Sequence, residues 1–296
     1  MSNVNLNNKK SWSEKLKASN QNFKVAFLSS TKNLIKFDLT NFSWEFLSSN
    51  VLRWIAVFTM FIDHAGLIAR PSEAWFRIVG RLAFPIFAFL AGVGVNFSHR
   101  KLYYVLRFLV IGIVIQLFII IFYFTVNRNT GLGPFYFNIM FTLFFGTLVG
   151  YVHYKNNIAG FALALILLIP FLLIDFMNTN VFVNSSLLNI SIDYTTYGYL
   201  LILASYFSFY YARKLDSKNW FIFFKMAFIA LFVIISVVFI GFLQTMSTVQ
   251  WYALFTIPLF LVYSKIKPYK NMVLNIWFLS AYALSFIIPA LTVFSF

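Results

Sequence analysis

From Val51 onward, polar and apolar positions do not alternate as they would in half-buried strands. Apolar residues instead run continuously, broken by short polar or basic connections. A helix that crosses a bilayer needs about 20 such residues. On that measure the pattern predicts nine spans, near 51–69, 75–97, 102–126, 135–152, 158–177, 197–211, 220–243, 250–264 and 272–295. The sixth and eighth are short, so they are expected to tilt, to thin the bilayer or to lie partly inside the bundle. The expected fold class is therefore all-α, a polytopic membrane helical bundle over residues 49–296. Residues 1–48 read differently, as a cytoplasmic polar tail and an interfacial segment. Asn, Ser and Lys dominate 1–22, a composition that favours disorder. Over 23–48, Phe23, Phe27 and Trp44 mix with Lys24, Lys32 and Lys36. That mixture suits a segment lying on an anionic leaflet, or an irregular linker.

Composition agrees with the pattern. The chain of 296 residues is 61% hydrophobic and 10% charged, against about 25% charged in soluble domains. Mean hydropathy is +0.81. The net charge of +15 does not mark a nucleic-acid partner, because the cations sit in the tail and in alternate loops rather than along one face. With the N-terminus inside, every Lys and Arg except Arg70, Arg77, Arg81 and Arg128 falls at the cytoplasmic side. This asymmetry is the positive-inside signature and supports the nine-span parsing. A bacterial cytoplasmic membrane, crossed many times, is the expected location, with membrane lipids as neighbours. The opening residues lack a secretory signal pattern. Cys is absent, and with 3 His and 8 acidic residues a metal site is not expected.

Candidate chemistry concentrates in the first two spans, which carry Arg53, Asp63, His64, Arg77 and Arg81. Ionisable groups at membrane depth are expensive, so they are paired or functional. His64 follows Arg53 by about three helical turns, a rise of ~16 Å on one helix face. A guanidinium at the cytoplasmic mouth suits phosphate, and a deeper imidazole suits a general base. The pantetheine arm of coenzyme A has a comparable reach. Asp63 points about 100° away from His64 and is expected to pair with Arg77 or Arg81, which share a face of the next helix. Such a cluster could be interhelical glue or an anion site. Pro85 should kink the second span. His99 and His153 read as surface histidines at cytoplasmic helix ends. Asp175, Asp193 and Tyr194 flank an outer loop, where Asp193 and Tyr194 could line a vestibule.

The segments I55-A-V-F-T-M-F-I-D-H-A-G66, R77-I-V-G-R-L-A-F-P-I-F-A-F-L90, N138-I-M-F-T-L-F-F-G146 and D193-Y-T-T-Y-G-Y-L-L-I202 resemble the TraX family in order and spacing. The founding member of that family is linked to N-terminal acetylation of conjugative pilin. The spacing of Arg53 and His64 is also similar to that of the acyltransferase-3 group, where this histidine is the proposed catalytic residue. The resemblance implies an acyl-CoA donor such as acetyl-CoA, an amine or hydroxyl acceptor at or beyond the membrane, and roles for Asp63, His64 and Arg81. Two positions depart from it: Val93 stands where many relatives have Glu, and Y282-A-L-S285 stands where many have Tyr-Pro-x-His.

The expectation is an integral-membrane acyltransferase. His64, with Asp63 beside it, would act on the acceptor. Arg53, with Arg100 or Arg107, would hold the donor's phosphates. Arg77, Arg81, Asp193 and Tyr194 would bind an acceptor that is a peptide, a sugar or a small molecule. The alternative is a non-enzymatic transporter or immunity-type protein that binds an anionic solute through the same cluster.

Overall fold

The computed structural model describes residues 47–69, 73–125, 136–178, 191–215 and 218–264, with Ala281 and Leu284. The expected tail up to residue 46 and nearly all of the ninth run lie outside the described residues. The described residues are mainly helical: α1 (Ser49–Ala69), α2 (Ala74–Gly80), α3 (Ala83–Phe97), α4 (Lys101–Thr125), α5 (Ile139–Lys155), α6 (Asn157–Asn178), α7 (Thr195–Leu215) and α8 (Lys218–Ser236). A π-helical turn (Val237–Phe242) continues α8, and a 3-10 segment (Thr248–Thr256) leads into α9 (Ile257–Leu261). One short parallel ladder pairs β1 (Tyr136–Phe137) with β2 (Ser191–Ile192) and ties together the approaches to α5 and α7.

Among the described residues, four stretches are long and apolar enough to cross a membrane: Ala74–Phe97, Lys101–Ile121, Asn157–Met177 and Asn219–Phe242. This is a helical membrane protein. Ile158, Leu165, Ile166 and Ile169 of α6 are exposed, as are Val110, Val114 and Leu117 of α4. Apolar side chains on an outer face are at home against lipid tails.

The sixth run, short in the sequence, is a helix of 21 residues and the centre of the bundle. Its Tyr197, Tyr199, Tyr206 and Phe209 are buried, and Tyr199 donates to the Ala164 carbonyl at 2.9 Å. The tyrosines lowered its hydropathy because the helix faces protein rather than lipid. α3 lies closest to it. A Cβ on Gly92 would stand 2.6 Å from the Ile202 carbonyl oxygen, so only glycine allows the two backbones to approach this far. Lys101 covers the C-terminus of α3, donating to the carbonyls of Val95, Asn96 and Ser98 at 2.7, 3.1 and 3.0 Å. Arg213 also donates to the Asn96 carbonyl.

Three expectations need correction. The eighth run is not one helix: nine 3-10 residues precede the five of α9, and Pro258 sits at the start of the α-helical part, where its missing N–H is harmless. The break in the second span does not fall at Pro85. It falls at Arg81 and Leu82, between α2 and α3. A proline ring collides with the carbonyl four residues earlier, and for Pro85 that carbonyl belongs to Arg81. His153 is buried rather than superficial, at 1% exposure. Its Nδ1 lies 3.0 Å from the Tyr206 hydroxyl, and Phe161, Phe207 and Tyr210 meet its ring edge to face.

Candidate functional site

The break at Arg81 makes the site. It turns the guanidinium into the interior, where three separate segments meet it. From α1, Asp63 Oδ1 lies 3.6 Å from Arg81 Nη2, and Asp63 Oδ2 accepts from Arg77 Nη1 at 2.9 Å. Asp63 thus pairs with both arginines. Gly80 permits this, because a Cβ there would come within 2.5 Å of the Asp63 carboxyl carbon. The loop before α7 supplies Tyr194, whose hydroxyl accepts from Arg81 Nη1 at 3.3 Å. The 3-10 segment supplies Gln250, whose Oε1 accepts from the same nitrogen at 3.4 Å.

Tyr194 has a left-handed backbone, φ 60°, costing about 1–2 kcal/mol for a non-glycine residue. Stacking offsets that cost: its ring lies 3.7 Å from the Phe84 ring, at 9° between planes. Desolvation pushes its phenol above the ordinary range, although Arg81 beside it pulls the other way. It therefore stays neutral next to the arginine. Asp193 lies within electrostatic reach of Arg81. Its backbone is held on both sides: the Asp193 N–H donates to the Phe137 carbonyl at 2.9 Å, and Thr142 Oγ1 donates to its carbonyl at 2.6 Å. His64 is buried on α1, with Arg77 and Arg81 as electrostatic neighbours.

Arg53, Asp63 and His64 are therefore carried on one unbroken helix, and Asp63, His64, Arg77, Arg81, Asp193 and Tyr194 come together. Arg53 belongs to a second group. Its electrostatic neighbours are Arg107, Tyr104 and Tyr263. The Arg107 guanidinium sits 3.9 Å from the Tyr104 ring centre, and its Nε is buried with no hydrogen-bond partner among the described residues. Ser49 Oγ lies 3.0 Å from the Tyr263 hydroxyl at the same end of α1. Arg100 is exposed in the α3–α4 connection. Asp175 is buried, and its Oδ2 accepts the Thr196 N–H at 3.3 Å. It caps α7.

Sequence reasoning missed Gln250. A buried glutamine between Val249 and Trp251 was the available signal. It gave no partner, because the partner lies far away in the chain. Among the described residues no three His, Asp or Glu side chains gather as a metal site requires.

These residues fall inside a match to the sequence model of one family, described as TraX protein, over residues 48–293. The chain belongs to the TraX family. The TraX match takes in α1 to α9, so both residue groups lie within it. A curated relative is the uncharacterized protein RP591 of Rickettsia prowazekii (strain Madrid E). It is 31% identical over 112 residues, which are 38% of this chain and 40% of that protein. The chain thus matches well under half of that relative's length. No solved structure matches.

Proposed function

We propose that this TraX-family protein is an integral-membrane acyltransferase of the bacterial cytoplasmic membrane, with nine spans and its N-terminus inside. It would move an acetyl or other acyl group from cytoplasmic acyl-CoA to an amine or hydroxyl at the membrane or its outer face. The carrying observation is the pairing of two residue groups on α1: Arg53 beside Arg107 at one end, His64 beside the Asp63–Arg77–Arg81 cluster about three turns away.

In this reading Arg53 and Arg107 hold the donor's phosphates, and the pantetheine arm carries the thioester toward His64. The imidazole takes the proton from the acceptor N–H or O–H as the nucleophile attacks the thioester carbonyl. The tetrahedral oxyanion then collapses. The C–S bond breaks, and the thiolate takes up the proton that His64 received. Arg81 and Arg77 would steady the oxyanion. A solute-binding protein selecting anions fits less well, because the arginines share their cluster with Asp63 and Asp193.

The test uses purified protein in nanodiscs, labelled acetyl-CoA and a cell-envelope fraction. Time-dependent labelling by the wild type, abolished in His64→Gln and reduced in Arg53→Gln with a raised KM for acetyl-CoA, supports the assignment. Equal labelling by wild type and His64→Gln removes His64 from the reaction.

A further inference from the structure

Arg81 offers donors at three nitrogens, and the protein engages two. Nη2 faces Asp63 at 3.6 Å. Nη1 is shared between Tyr194 and Gln250. Nε is buried and makes no hydrogen bond among the described residues. A charged donor left unpaired away from water is costly, so an oxygen placed against it is strongly favoured. The direction of that N–H is fixed by whatever holds the two terminal nitrogens, because the guanidinium is planar and rigid.

Gln250 is well placed to hold one of them. Its side chain is 2% exposed. Its oxygen faces Arg81, and its amide nitrogen, buried near Tyr197, makes no hydrogen bond among the described residues. The Tyr197 hydroxyl lies 3.3 Å from Ser236 Oγ, at the last residue of α8 before the π turn. Gln250 therefore ties the α2–α3 break to the 3-10 segment through its oxygen.

We propose that Gln250 is a positioning residue for Arg81, and that the free Nε–H takes an uncharged oxygen, a hydroxyl or carbonyl, of the acyl acceptor. The inference rests on reading this cluster as the transfer site. The charges argue for an uncharged oxygen: Arg77 and Arg81 are matched by Asp63 and Asp193, so a phosphate or carboxylate would enter against two carboxylates.

The test has two arms, on full-length protein in nanodiscs. The first needs no activity. Phenylglyoxal modification of Arg81 is followed by peptide mass spectrometry, with exposed Arg100 as internal reference. In Gln250→Leu, Arg81 should be modified on the order of tenfold faster than in wild type. In Gln250→Glu, which keeps an oxygen toward Arg81, it should be modified no faster than in wild type. Inorganic phosphate should protect Arg81 no better than sodium chloride of equal ionic strength. An unchanged rate in Gln250→Leu overturns the positioning role, and protection by phosphate overturns the uncharged ligand.

The second arm measures labelled acetyl transfer to the envelope fraction. Gln250→Leu should raise the apparent KM for the envelope acceptor with the KM for acetyl-CoA unchanged, and Gln250→Glu should restore it. Protease treatment or periodate oxidation of the product separates a peptide carbonyl from a sugar hydroxyl as the source of the oxygen. Label on neither class overturns the acceptor assignment. If the wild type transfers nothing, the transferase reading fails, while the first arm still decides what Gln250 does.

Discussion

Gly80→Ala separates two physical effects of opposite sign. Gly80 is the last residue of α2. Helix propensity alone predicts a gain of about 1 kcal/mol from alanine. The structure predicts a loss, because the new methyl would stand within 2.5 Å of the Asp63 carboxyl carbon. Crowding of a packed interior costs about 1–3 kcal/mol. Displacing the carboxylate also weakens its contact with Arg77, a hydrogen bond to a charged group worth roughly 1.5–3 kcal/mol. Arg77 is 32% exposed, so the lower end of that range applies. The balance is a net loss of about 2–4 kcal/mol, or a fall in Tm of roughly 5–15 °C. The assay is thermal unfolding in detergent, read as the surviving monodisperse fraction. Gly241→Ala is the control, since its nearest neighbour, a Trp251 ring carbon, lies at an ordinary 3.4 Å. It should leave Tm nearly unchanged. A Gly80→Ala protein at or above the wild-type Tm would refute the contact between α2 and the Asp63 carboxylate.

Three further outcomes are expected. His64→Gln should lower labelled acetyl transfer by at least about 100-fold, the lower bound for losing a general base, measured as an initial rate. His153→Phe should cost about 1–3 kcal/mol, by leaving the buried Tyr206 hydroxyl without its partner, and should lower Tm while transfer by the protein that remains folded is unchanged. Asp175→Asn removes a carboxylate from the N-terminus of α7 and should cost on the order of 1 kcal/mol, seen as a small fall in Tm with both KM values retained.

The sequence makes the helices legible because lipid imposes long apolar runs, and eight of the nine expected runs coincide with described helical segments. Asp63's arginine partners were also readable, since intramembrane charge must be neutralised and few candidates lay at its depth. Other features were hidden for physical reasons. A run of apolar residues does not say whether it winds as an α or a 3-10 helix, so the Thr248–Thr256 segment read as an ordinary span. Pro85 announced a break but not its place, which depends on the carbonyl that the ring strikes. His153 looked superficial because it sits at the end of its helix, two residues before Lys155. The aromatic rings that enclose it come mostly from α6 and α7. Gln250 carries no charge, and neutral amides leave no electrostatic trace in a hydropathy profile.

Leu47, just before α1, pairs with the strand-like stretch after α9: its N–H donates to the Val262 carbonyl at 2.9 Å, and its carbonyl accepts from Ser264 at 3.0 Å. This early helix is thereby clasped to a segment that leaves the ribosome some two hundred residues later. Gln250 arrives equally late. During translation the early helices must wait in the bilayer with Arg81 only partly enclosed, and the cluster closes when the last third of the bundle docks. A nascent chain arrested before residue 248 should insert but leave Arg81 open to chemical modification, whereas one arrested beyond residue 264 should shield it.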